Sequence, residues 1–113
     1  MKTQMLRFYV SSTDVVEHNS VYEAIAYAAK RYGLMGCTIY KGIMGYGSSC
    51  NLHSDKFWEL NTKFPVTVEI VDDKEKLDGF IDEIRQLIEA LPKGCLVTRQ
   101  DVDIVIRKVG KQR

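Results

Sequence analysis

Leu6, Phe8 and Val10 alternate with Arg7, Tyr9 and Ser11, the period of a strand with one buried face. Ser12-Thr13-Asp14 supplies turn formers that end it. Ser20-x-x-Glu23 is a capping-box pattern, and Val21, Ile25, Ala28 and Tyr32 follow at helical spacing until Gly33 offers a stop. From Cys37 to Ile43 the chain is rich in β-branched and aromatic residues, with Thr38 and Tyr40 on one face and Cys37, Ile39 and Ile43 on the other, which predicts a second strand. A long connection begins at Gly42. Val66, Val68 and Ile70 then alternate with Thr67, Glu69 and Val71, and Pro65 stands at the first position of that third strand, where a missing N–H is tolerated. Asp72 or Asp73 can cap a second helix, whose apolar stripe is Leu77, Ile81, Ile84, Ile88 and Leu91, with Pro92-Lys93-Gly94 as its stop and Gly79 as a cost within it. Val102, Ile104 and Ile106 alternate with Asp101, Asp103 and Val105 to predict a last strand, with Cys95-Leu96-Val97 as a short extra one before it.

The order βαββαβ predicts an α+β fold: a ferredoxin-like sandwich, with a four-stranded antiparallel sheet and both helices on one face. Residues 1–113 form a single domain, with a long loop over 42–58 and a basic tail over 108–113. The other sheet face would carry Tyr9, Ser11, Thr38, Tyr40, Thr67, Val71 and Val105. That is more apolar and aromatic than a solvated face usually is, so it is expected to meet another subunit; scattered surface aromatics that need no partner are the alternative.

Composition narrows the classes. Forty-five per cent hydrophobic and 27% charged residues exclude a disordered chain, and 16 basic against 15 acidic residues leave a net charge of +1, too little for a dedicated nucleic-acid binder. Arg7 interrupts the N-terminus before an apolar signal segment can form, and no apolar run is long enough to span a bilayer. A cytoplasmic protein with no nucleic-acid partner is expected. Cys37, Cys50 and Cys95 are odd in number and widely spaced, so reduced thiols are the default.

The connection from Gly42 to Trp58 is far longer than an ordinary hairpin turn. Gly42, Gly45 and Gly47 permit positive φ and close approach of backbone N–H groups to an anion, although glycines in a long hairpin are more often turn formers. Ser48 and Ser49 add hydroxyls. Phe57 and Trp58 can anchor the loop to the core or stack on a base. Cys50 and His53 supply at most half of a tetrahedral metal set. Cys50, His53 and Asp55 can be written as a nucleophile, base and orienting group, but a loop is a poor scaffold for catalysis, and the chain is expected not to be an enzyme. Cys37 and Cys95 are expected as small buried hydrophobes, and Asp101 and Asp103 receive no function.

Gly36-Cys-Thr-Ile-Tyr-Lys-Gly-Ile-Met-Gly-Tyr-Gly47, followed by Leu60-Asn-Thr-Lys-Phe-Pro-Val-Thr-Val-Glu-Ile-Val-Asp-Asp73, resembles the family called domain of unknown function 190, which in turn resembles the PII signalling proteins. The resemblance runs from about Met5 to Ile106. It implies a homotrimeric PII-like regulatory protein with ligand clefts between subunits, an adenine nucleotide as possible effector, and a long loop that meets a target such as a membrane transporter or an enzyme. Carried onto this chain, it makes Lys41, Gly42, Gly45, Tyr46 and Gly47 the base of the loop, Lys93 and Gly94 a second phosphate-contacting turn, and Arg107 and Lys108 basic residues after the last strand. Ser48, Ser49, Asn51, His53 and Asp55 become the partner-contacting tip. The chain lacks the Tyr-Arg-Gly modification site and the Thr-Gly-x-x-Gly-Asp-Gly-Lys turn of PII proteins, so uridylylation is unsupported and no cofactor is fixed. The alternative is a metal-binding trimer resembling the copper-tolerance family, with Cys50 and His53 as ligands.

Overall fold

In the computed structural model, which describes residues 2–46 and 64–111, the elements are β1 (Thr3–Ser11), β2 (Val15–Val16), β3 (Asn19–Ser20), α1 (Val21–Tyr32), β4 (Thr38–Lys41), β5 (Pro65–Asp73), α2 (Lys74–Glu89) and β6 (Leu96–Val102). The main sheet has the order β4-β5-β1-β6 and is antiparallel throughout. This is the expected ferredoxin-like arrangement.

Strict alternation drives the two central strands. Residues 4, 6, 8 and 10 of β1 and 66, 68, 70 and 72 of β5 are buried, and the register pairs Leu6 with Ile70, Phe8 with Val68 and Val10 with Val66. Their row is covered by Val21, Ile25 and Ala29 of α1 and by Leu77, Phe80 and Ile84 of α2. Phe80 stacks edge-on against Phe8 and Tyr32. The innermost line of α2 therefore runs through Phe80, while Ile81 and Ile88 pack at its flank.

The caps follow from local chemistry. The Ser20 hydroxyl accepts from the Glu23 N–H, the N-cap half of a capping box, and donates to the Glu23 carboxylate. Gly33 ends α1 at φ +94°, where a Cβ would be strained. Asp73 holds the N-cap position of α2 without a side-chain cap bond. Asp72 is instead buried, and its carboxylate accepts from the N–H groups of Met35 and Asp73, fastening the α1–β4 connection to the end of β5. Gly79 has a reason as well: a Cβ there would overlap the Tyr32 hydroxyl, so the tyrosine ring lies over α2 where α2 lacks a side chain.

The last strand differs from the sequence expectation. It covers Leu96–Val102, and residues 103–106 are not in the sheet. β6 pairs only with β1, and its final rung is Val102 against Thr3, the first residue of β1. Beyond it β1 has no further strand residue to offer. The alternation through Ile104 and Ile106 continues past the point where a partner exists, and the chain bends at Val105.

Candidate functional site

The register places the candidate residues. Lys41 pairs with Val66, Val66 with Val10, and the neighbouring rung joins Tyr9 to Leu96. The turn that leaves β4 at Gly42 and the Lys93-Gly94 turn that enters β6 consequently lie at the same end of the sheet, on opposite edges, about 14 Å apart by three interstrand spacings. Arg107 and Lys108 lie at the other end, in a cleft with Met35, Cys37 and Thr38 before and at the start of β4. One chain does not bring the three groups together.

At the loop base, the Gly42 N–H donates to the Pro65 carbonyl at 2.7 Å. A Cβ on Gly42 would stand 2.8 Å from Pro65 Cγ, and one on Gly45 would stand 3.4 Å from the same atom. Neither glycine has a positive φ, Gly33 being the positive-φ glycine among the described residues. The freedom for positive φ is not used at either position, and both glycines lie close against a proline ring. Lys41 lays its ammonium over the Phe64 ring at 4.2 Å, a cation–π contact. Ser12 holds both backbone groups of Phe64, its N–H donating to the Phe64 carbonyl and its hydroxyl accepting from the Phe64 N–H. Tyr46 is 71% exposed. The backbone on both sides of the loop is thus fixed while the Tyr46 ring faces solvent. Gly47, Ser48, Ser49, Cys50, Asn51, His53, Asp55, Phe57 and Trp58 lie outside the described residues.

A polar line crosses the outer face of the sheet, and a shorter one on the helix face ties β6 to β1 and α2. On the outer face the Tyr40 hydroxyl donates to Glu69, Arg7 donates to the other oxygen of Glu69 at 2.9 Å, and Arg7 reaches Gln100, so one chain of bonds joins all four strands. The shared carboxylate raises the pKa of both the Arg7 guanidinium and the Tyr40 phenol. On the helix face Arg99 donates to Gln4 and to Asp78, and Gln4 donates to Asp101. Hydrogen bonds from Arg99 and Lys74 lower the Asp78 pKa, and the bond from Gln4, with Lys2 nearby, lowers that of Asp101. The aspartate left without a role in the sequence, Asp101, helps to hold β6.

Among the described residues both thiols, Cys37 and Cys95, are held above the ordinary thiol pKa. Cys95 is half-buried against the core, and desolvation with the Asp14 charge pushes its pKa up to about 11. Cys37 is exposed rather than buried as expected, yet desolvation raises its pKa too. Its place just before the short edge strand β4 explains the exposure. Among the described residues no group of three histidine, cysteine or acidic side chains is arranged to hold a metal ion, and no helix is long and apolar enough to cross a membrane. Sequence reasoning missed the β2–β3 hairpin, whose Glu17 and His18 both adopt positive φ, because the glycine or asparagine that marks such turns is absent.

The model of the family DUF190, described as uncharacterized ACR, matches residues 3–104. A UPF0166 protein of Aquifex aeolicus (strain VF5) is 31% identical over 105 residues, covering 93% of this chain and 95% of its own. Another, of Methanocaldococcus jannaschii, is 33% identical over 89 residues, covering 79% and 82%. Among solved structures, CPII from Thiomonas intermedia K12 bound to ADP, AMP and acetate aligns with a TM-score of 0.58 at 15% identity, over 90% of this chain and 89% of its own. The apo form of the same protein, a nitrogen regulatory PII-like protein, aligns at 0.53 and 13%, over 90% and 92%. At these identities the structural likeness speaks for the fold.

Proposed function

This chain belongs to the DUF190 family, and from that premise we propose that it is a PII-like signalling protein whose anionic effector, an adenine nucleotide, binds between subunits of a homotrimer. One geometrical fact carries the reading. The Gly42–Tyr46 turn and the Lys93-Gly94 turn share one end of the sheet but sit on opposite edges, the β4 edge and the β6 edge. Subunits arranged head to tail, β4 edge beside β6 edge, bring the two turns into one cleft, and such heterologous contacts generate closed rings. Lys93 is the cation for a phosphate group, and the exposed Tyr46 ring offers a stacking surface.

Pro65 gives the cleft a rigid wall, since Gly42 and Gly45 are folded against it. A ligand held there touches the base of the loop that follows, and it shifts the loop by whatever difference in affinity it has for two loop states. A partner protein that reads the loop, such as a transporter or an enzyme, completes the signalling role. The protein works in the cytoplasm and makes or breaks no bond in its effector.

Calorimetric titration with ADP and AMP tests the proposal. Binding is expected, and Lys93→Ala should weaken it roughly tenfold or more, the worth of one charge-assisted bond to a phosphate. Absence of heat with ADP, AMP and cyclic dinucleotides alike would remove the reading.

A further inference from the structure

Lys41 is held by an aromatic ring and not by an acid. Its ammonium stands 4.2 Å over the centre of Phe64, and among the described residues no aspartate or glutamate pairs with it, whereas Lys2, Arg7, Lys74, Arg85 and Arg99 each have such a partner. The difference has a chemical consequence. A carboxylate would neutralise the lysine. A ring face attracts the cation through its quadrupole, leaves the full charge in place, and leaves the N–H groups turned away from the ring free to donate. The perch is itself anchored. Ser12, just past β1, accepts from the Phe64 N–H at 2.9 Å and donates its own N–H to the Phe64 carbonyl at 2.8 Å. The residue after Lys41, Gly42, is bonded to the residue after Phe64, Pro65, at 2.7 Å. The backbone beneath both the lysine and the ring is fixed, while Lys41 stays exposed.

We infer that Phe64 is a positioning residue that holds Lys41 as the second cation of the effector cleft, so that the cleft takes a nucleoside diphosphate in preference to a monophosphate. The inference rests on the proposed function and deepens it. Lys41 is the last residue of β4 and leads straight into the Gly42–Tyr46 turn, so it stands at the end of the sheet where the Lys93-Gly94 turn also lies. Lys93 on the β6 edge of one copy takes one phosphate group, and Lys41 on the β4 edge of the next takes the other. Lysine ordinarily gives up much rotamer freedom when it is immobilised by a ligand, and a side chain already resting on a fixed ring gives up less. A perch that served stability alone would move only the unfolding midpoint; one that serves the ligand moves the ratio of ADP to AMP affinity.

Calorimetric titration of ADP and AMP against the wild type and four variants tests it. Lys41→Ala should weaken ADP about tenfold, the worth of one charge-assisted bond, and AMP less than about twofold. Phe64→Leu should weaken ADP about threefold, the scale of a cation–π contact, while Phe64→Tyr, which keeps the ring, should bind as the wild type does. The double variant Lys41→Ala with Phe64→Leu should bind ADP no more weakly than Lys41→Ala alone, because the ring acts through the lysine. Lys41 is exposed, so its substitution leaves the core intact even where a change at Phe64 disturbs folding. Unchanged ADP binding in Lys41→Ala, an equal loss for ADP and AMP, or additive losses in the double variant overturns the inference while the nucleotide reading stands. Absent heat with ADP in the wild type overturns the reading and this inference together, and is seen before any variant is titrated.

Discussion

The loop base and the C-terminal arm both flank β4, yet their residues are spent in opposite ways. At the base Gly42 and Gly45 lie against Pro65, Lys41 covers Phe64, and Ser12 ties Phe64 by two hydrogen bonds. In the arm, Val105 and Ile106 are 90 and 85% exposed. The glycines that look adaptable in sequence hold their backbone close against Pro65, and the β-branched segment that looks like core is left in solvent. Small residues here serve packing within the chain; large apolar ones are available to something outside it.

The largest effect expected on the anchored side is chemical. Cys95 follows the Lys93-Gly94 turn, and a thiol pKa of about 11 leaves far less thiolate at pH 8 than a free cysteine has. Alkylation of Cys95 by iodoacetamide in the folded protein should be on the order of 100-fold slower than in an unfolded control. The sign for stability follows from the raised pKa. The contribution is full below the ordinary thiol pKa of 9.0 and is lost as pH climbs through about 11, because the unfolded thiol ionises first. Cys95→Ala should flatten urea-unfolding stability across that window. Equal alkylation rates would place Cys95 in a looser setting and break the contrast.

Next in size is Gly42→Val, which drives a side chain into the Pro65 ring and carbonyl. Overpacking against a fixed neighbour costs about 2 kcal/mol, measurable as a lower urea midpoint. Combining it with Pro65→Ala should recover part of the loss, since the clash is with the ring. If Gly42→Val leaves stability unchanged but abolishes nucleotide binding, the glycine is there for the ligand and the base is less tightly held than its packing implies.

Gly79 extends the same logic to the helices at a smaller scale. Gly79→Ala should gain helix propensity of about 1 kcal/mol and lose at least as much by meeting the Tyr32 hydroxyl. In a Tyr32→Phe background the hydroxyl is gone and the ring carbon at 3.3 Å has only a few tenths of an ångström to give, so the alanine should recover most of the loss. A double-mutant cycle with no coupling would show that Tyr32 moves aside freely.

These positions mark the limit of what the sequence makes legible. β1 and β5 follow from alternation because both their faces are settled by it, and the capping box at Ser20 and the stop at Gly33 are local chemistry. The reasons for Gly42 and Gly79 are not local: their neighbours, Pro65 and Tyr32, are brought in from distant positions by the fold. The last strand was misplaced for a related cause. Alternation reports what a segment can do, whereas its pairing depends on where β1 begins. Phe80 was overlooked because a stripe through Ile81 fits the helical period almost as well, and only contact with Phe8 and Tyr32 decides between them. As for the candidate site, its residue types were readable, but their separation to two edges and two ends of one sheet was not.

The smallest expected effect is the sharpest statement of the comparison. Val105→Ala removes two methyl groups from a side chain that buries almost nothing in its own subunit. Surface substitutions away from special features change stability by no more than about 0.5 kcal/mol. Measured by urea unfolding of the dilute, dissociated chain, Val105→Ala should stay within that range, whereas Gly42→Val in the same assay should not. A loss above about 1 kcal/mol in the dissociated protein would mean that Val105 packs within its own chain and would erase the distinction. Equal stabilities when dilute, with a lower midpoint than wild type only as concentration rises, would locate the value of that side chain in contact between copies, where mass action makes stability depend on concentration.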